Sequence, residues 1–295
     1  MLIKKRISVL YFIRLIKWDL IAIAAYAALA GTFDHYWIFN QINIPLAVSA
    51  FVGTTLSLLL GFRTSQSYER WWEARVVWGA IVNDSRTLIR QLQQFLPKGP
   101  QTTLILSEFI QRQVIWCYAL SESLRRVPFS AKVEDYFREH QLESANRPNL
   151  LLNKHSENLG ALSEQFQIDA NKQVQIDATI VRLCDSMGKC ERIKNTVFPR
   201  SYSLLIHFLI YVLMTMLPFG LEDKTKTVEI LLTFMVPVLF IAIERTAIIM
   251  QDPFENVPTD TPMTTLAKTI EGNLLEMIGE QPSSQAATGG DYYVM

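Results

Sequence analysis

Residues 44–75, IPLAVSAFVGTTLSLLLGFRTSQSYERWWEAR, decide the fold. Positions 44–62 hold no charge, whereas 63–75 hold Arg63, Glu69, Arg70, Glu73 and Arg75. An uncharged helix of this length, rising about 1.5 Å per residue, covers most of a ~30 Å hydrocarbon layer. Pro45 suits the first helical turn, where its missing N–H would have had no intrahelical partner. Ala47, Ser49, Ala50, Gly53, Thr54, Thr55 and Ser57 are small or hydroxylic. Such residues belong where helices pack closely or line a path, so this span is expected to face protein or a pore rather than lipid.

Three more apolar runs accompany it. The first, 16–33, centres on LIAIAAYAALA (20–30), with Trp18, Tyr36 and Trp37 near its ends where aromatic belts lie. The third is 202–219, YSLLIHFLIYVLMTMLPF, and the fourth 228–250, joined by a loop containing Glu222, Asp223, Lys224 and Lys226. Composition agrees: 49% of residues are hydrophobic and 19% charged, against about 25% charged in ordinary soluble domains. No cleavable signal peptide is expected, because no small-residue cleavage site follows the first run.

Lys and Arg set the expected orientation. Lys4, Lys5, Arg6, Arg14 and Lys17 precede the first span, and residues 32–43 contain no Lys or Arg. Basic residues stay on the cytoplasmic side, so both termini and the segment 63–200 are expected there. That segment has no run long enough to span and shows helical periodicity: Leu88, Leu92, Phe95 and Leu96 share a face, as do Leu106, Ile110, Val114 and Cys117, and Leu159, Leu162 and Phe166. Pro97-Lys98-Gly99-Pro100 and Arg147-Pro148-Asn149 read as breaks. The division predicted is 1–62 (N-terminal segment and two spans), 63–200 (cytosolic helical domain), 201–250 (two spans), 251–278 (cytosolic C-terminal segment) and 279–295 (disordered tail).

Other classes of function find little support. A net charge of zero gives no field for nucleic acid. Cys117, Cys184 and Cys190 lack zinc-ligand spacing and read as reduced thiols, although a regulatory disulfide between Cys184 and Cys190 is an alternative. His35, His140, His155 and His207 are scattered. No cofactor, metal site, nucleophile–base pair or phosphate loop is apparent, which speaks against an enzyme. A secondary transporter, the other alternative, would call for midplane polar sites in repeated broken helices.

The block GFR-x4-YERWWEAR, 61–75, resembles the bestrophin family in its bacterial branch. Cys190-Glu191-Arg192-Ile193 with Pro199 and Tyr202-Ser203-Leu204-Leu205-Ile206-His207 resembles that family's entry to its third span, and Asp252-Pro253-Phe254-Glu255 its post-membrane motif. The resemblance implies an all-α fold: four transmembrane helices and a helical cytosolic domain in a homopentameric channel of the bacterial inner membrane. It further implies conduction of chloride and other anions, or of monovalent cations such as sodium in some bacterial relatives.

In that family the narrow neck is lined by the second helix at i, i+4 and i+8, ending on the Phe of the GF pair, which gives Thr54, Leu58 and Phe62. Steps of four drift only about 40° each, so these share a stripe roughly 12 Å long. A ring of apolar side chains can hold a pore dewetted. Read by periodicity alone, Leu58 and Phe62 are interhelix packing residues; Thr54 departs from the family's usual apolar residue and would make the outer neck wetter.

Arg70, Trp71, Trp72, Glu73 and Arg75 read as a rigid membrane–cytosol junction, with ion contact by Arg70 or Arg75 the alternative. Glu244 and Arg245, inside the fourth run, are expected to pair, with a role on the ion path the alternative, and His207 to be hydrogen-bonded within the bundle, with a sensor the alternative. The resemblance also implies a second, cytosolic constriction within 168–178, with Val174 and Ile176 as the apolar candidates. Calcium-activated animal relatives carry an acidic run after their Pro-Phe; here DPFENVPTD (252–260) has lost it, with Val257 where a ligand is needed. Between residues 63 and 200, 19 Lys/Arg face 15 Asp/Glu, too small an excess to assign ion sign.

Overall fold

The computed structural model describes residues 13–33, 44–196, 199–220 and 226–280. The N-terminal basic residues Lys4, Lys5 and Arg6, the loop with Tyr36 and Trp37, most of the 221–226 loop and the tail beyond Glu280 lie outside these residues. Among the described residues every regular element is helical: α1 Lys17–Phe33, α2 Leu46–Phe95, α3 Pro100–Arg125, α4 Ala131–Glu139, α5 Arg147–Phe166, α6 Ala170–Asn195, α7 Arg200–Met216, α8 Lys226–Gln251 and α9 Met263–Met277. A 3₁₀ turn, Pro218–Gly220, follows α7.

α2 is a single helix of 50 residues. At about 1.5 Å per residue it is roughly 75 Å long, far more than a bilayer needs. From Arg63 to Phe95 Gly79 is the only helix breaker, and one glycine costs only about 1 kcal/mol. The helix stops where Pro97 and Gly99 follow, and α3 begins on Pro100 at its first turn. Left-handed residues close two later helices, Arg126 after α3 (φ 56°) and Gln167 after α5 (φ 50°). Side-chain caps open two others: Asn146 accepts from the Asn149 N–H at 3.2 Å, and Asp169 from the Asn171 N–H at 2.9 Å.

The helices form two compact units. One comprises residues 13–70 and 199–251, the other 71–196 and 252–280, so the boundary falls within α2, between Arg70 and Trp71. In the first unit α1 packs on α8 and α8 on α7. Its core holds Ile16, Ile23, Leu56, Leu60, Ile206, Ile210, Leu213 and Ile241. Gly53 of α2 faces Leu213 of α7, where an added Cβ would make an ordinary contact at 3.9 Å. α2 and α8 contain stretches long and apolar enough to cross a membrane. α1 and α7, at 17 residues each, lie at the short end of the spanning range.

The second unit has a dense core in which Trp78, Trp116, Phe109, Leu88, Leu92, Leu120 and Phe254 are essentially inaccessible. Here α3 packs on α5 and α9, and α5 on α6.

Candidate functional site

α2 presents two opposite faces in the first unit. Leu56, Leu60, Arg63 and Ser67 are buried. Leu58 and Phe62 are 61% and 60% exposed, and Thr54 is exposed with them. At about 100° per residue, the buried set lies roughly 140–200° around the helix from Leu58, while Thr54 and Phe62 lie within about 40° of it. Thr54, Leu58 and Phe62 therefore form one stripe turned away from the protomer's own helices. The Thr54 hydroxyl donates to the Ala50 carbonyl at 2.8 Å. Thr55, Ser57 and Thr64 likewise donate to Phe51, Gly53 and Leu60. With its proton committed to the backbone, Thr54 keeps only acceptor capacity and is less wetting than a free hydroxyl.

Behind that stripe lies a network of charges. Arg63 Nη1 donates to Glu244 Oε1 at 2.8 Å, with the two side chains 3% and 1% exposed. His207 Nδ1 is 3.3 Å from the same Glu244 oxygen and 2.9 Å from the Ser203 carbonyl. Arg245 reaches back to Asp19, Nη2 to Oδ2 at 3.0 Å and Nε to Oδ2 at 3.1 Å. The expected pairing of Glu244 and Arg245 is therefore pairing outward, to α2 and α1. Neighbouring residues on a helix point about 100° apart, so the two cannot meet the same partner. An ionised group in an apolar setting must be matched, and each is. Sequence reading identified neither Arg63 nor Asp19 as a partner; both stood at ends of apolar runs.

The double-tryptophan motif makes backbone contacts. Arg70 Nε donates to the Gln251 carbonyl at 2.9 Å, capping the C-terminal end of α8. Trp71 Nε1 donates to the Thr259 carbonyl at 2.7 Å. Trp72 is half-exposed, its ring centroid 6.4 Å from that of Trp71. Glu73 pairs with Arg192 at 2.5 Å, and Arg75 is partly buried. Each indole thus has a different setting, as their divergent directions on a helix require.

The segment after α8 holds a second polar cluster. Lys194 Nζ bridges Asp252 Oδ2 at 2.7 Å and Glu255 Oε1 at 2.6 Å, and its side chain is largely buried. Burial works against the ammonium, but its hydrogen bonds to Asp252 and Glu255 outweigh it and hold Lys194 above its ordinary value. The two carboxylates already have a cation of the protein's own. Asp260 is buried: its Oδ2 accepts from the Val257 N–H at 3.2 Å, and burial pushes its carboxyl up to about 6. Arg125 carries its charge nearby.

The two constriction candidates part company. Val174 is 65% exposed on α6, whereas Ile176 is fully buried in the core of its unit. Two positions along a helix lie about 200° apart, so both could not line one passage, and Ile176 is a packing residue. Cys117 and Cys190 are buried free thiols, each pushed up to about 12 chiefly by burial, while Cys184 is exposed and also free.

Residues 6–276 match the family model described as bacterial/fungal bestrophin protein. The voltage-dependent anion channel-forming protein of Ralstonia nicotianae is 30% identical over 249 residues, 83% of this chain and 81% of that one. A protein of the same description from Escherichia coli K12 is 27% identical, covering 81% of this chain and 79% of its own. Among solved structures, a bacterial bestrophin homologue from Klebsiella pneumoniae superposes with a TM-score of 0.82 at 26% identity, over 90% of this chain and all of that one. Two membrane-length helices, a charge-locked apolar bundle and a helical second unit define an all-α membrane protein. The chain belongs to the bestrophin family.

Proposed function

We propose that this protein is one subunit of a homopentameric channel that conducts small monovalent ions across the bacterial inner membrane through a neck lined by α2. The observation that carries the reading is the stripe on α2. Leu58 and Phe62 are large, apolar and one turn apart, yet they face away from the core of their own protomer. Five copies around an axis would bring these stripes together as two stacked apolar rings, with Thr54 as a third ring, and such rings hold water out until they widen. Arg70, Trp71, Trp72, Glu73 and Arg75 serve as the junction between the membrane and cytosolic parts. Val174, not Ile176, is the candidate for a cytosolic constriction. The anion-channel descriptions of the relatives favour chloride over sodium as the ion carried.

Four spans, 16–33, 44–62, 202–219 and 228–250, with both termini cytoplasmic, complete the reading. The charge network supports it. Asp19 lies near the start of the first run, Arg63 at the end of the second, His207 near the start of the third, and Glu244 and Arg245 near the end of the fourth. These groups come together only if successive runs alternate in direction.

The test is electrical recording from purified protein in planar bilayers. Unitary currents are expected, with reversal potentials in asymmetric potassium chloride that follow chloride. A protein of pentameric mass without currents would overturn the channel reading.

A further inference from the structure

Resting on the channel reading, we propose that His207 is a proton-responsive element whose charging loosens the Arg63–Glu244 anchor of α2 and so raises the channel's open probability at acidic pH. The charges facing His207 from each packed helix are Arg63 from α2, Glu244 and Arg245 from α8 and, beyond Arg245, Asp19 from α1. On α7 itself Tyr202 is the other titratable neighbour, and its hydroxyl donates to the Leu59 carbonyl at 2.8 Å. With His207 neutral this set sums to zero, two cations against two anions. One more proton makes it a net cation.

The geometry says where that proton acts. The Ser203 carbonyl can only accept, so at 2.9 Å it fixes the hydrogen of His207 on Nδ1. Proton uptake therefore falls on Nε2, and within the protomer the His207 ring is 40% exposed while Glu244 is 1% exposed. The imidazolium then stands 3.3 Å from Glu244 Oε1, the atom that holds Arg63 at 2.8 Å. Two full positive charges compete for one oxygen, where before there was one charge and one dipole. Arg63 directly follows Phe62 in the chain, so weakening its hold releases α2 at the level of the proposed apolar ring. Imidazole is the side chain type suited to a proton response.

The experiment uses the full-length pentamer in planar bilayers, recorded at pH 7.5 and at pH 5.5 on both sides. Open probability of the parent is expected to rise with acid, on the order of tenfold or about 1.4 kcal/mol in the opening equilibrium. His207→Gln, which cannot take up the proton, should stay at the parent's pH 7.5 level at both values. His207→Lys, a permanent cation at the same place, should show the acid level at both. A parent whose open probability is flat or falls with acid overturns the proposal, as does a rise of equal size in His207→Gln. A parent without unitary currents at either pH strikes the channel reading itself, which separates the two failures.

Discussion

Asp260 should make the protein less stable as pH rises from 5 to 8, and Asp260→Asn should remove that loss. The carboxyl is 1% exposed, and burial, the largest cause, lifts it to about 6. Backbone N–H groups of Val257, Glu255 and Asn256 oppose the lift, and Asp252 adds to it. An unfolded aspartate titrates near 3.9. Between these values the folded state holds a proton that the unfolded state has released, so stability is full below about 4 and declines as pH rises through 6. Some two units correspond to about 3 kcal/mol, an order-of-magnitude figure. Asparagine keeps an oxygen for the Val257 N–H and does not titrate.

The assay is thermal unfolding of the detergent-solubilised protein, parent beside Asp260→Asn, at pH 5 and pH 8. Other groups titrate as well: burial pushes His155 well below its ordinary range, which costs stability as pH falls. That contribution is common to both proteins, so only their difference is diagnostic. The variant should gain on the parent by about 1.4 kcal/mol at pH 8 relative to pH 5, since the rest of the loss falls below pH 5, a shift of a few degrees in midpoint for a unit of this size. A difference that does not change between the two pH values would refute the reasoning. It would mean that the charge of Arg125 compensates the buried carboxylate in full.

Phe62→Ala and Leu58→Ala should raise conductance or open probability several-fold by letting water into the neck, and Thr54→Ile should lower current; normal conduction in correctly assembled Ala variants would place the barrier elsewhere. Reporter fusions at Asn40 and at the C-terminus should mark opposite sides of the membrane, and a periplasmic C-terminus would sink the four-span arrangement. Currents should be indifferent to micromolar calcium on the cytosolic side, because Lys194 already bridges Asp252 and Glu255 and the run of further carboxylates that calcium needs is missing; activation that a chelator abolishes would count against this. Val174→Ala should alter current if α6 lines the cytosolic constriction, whereas Ile176→Ala should act on stability, lowering it by about 2–5 kcal/mol as a core truncation does.

Much of this architecture could be read from local chemistry. An uncharged run of membrane length, a Pro-Gly-Pro break before α3 and asparagine or aspartate at helix starts each act over a few residues, and each has its counterpart in the structure. The continuity of α2 was not read from the sequence, which ended the second span at Phe62. The charges from Arg63 onward look like a boundary, yet nothing between Arg63 and Phe95 except Gly79 disfavours helix. Val174 and Ile176 could not be told apart in the sequence. Both are apolar and two residues apart, and only the packing of α6 on its neighbours tells which of two opposite faces is inside.

Partners were harder to read, because a charge in an apolar run demands compensation without naming its source. Glu244 had three cations within plausible reach: Arg245 beside it, Arg63 181 positions away and His207 on the preceding helix. Helical geometry removes the first, since adjacent side chains diverge by about 100°. The fold brings Asp19, Arg63, His207, Glu244 and Arg245 together, with two acids against two arginines. What the structure adds is the shared oxygen of Glu244, which turns a charge count into a competition between His207 and Arg63.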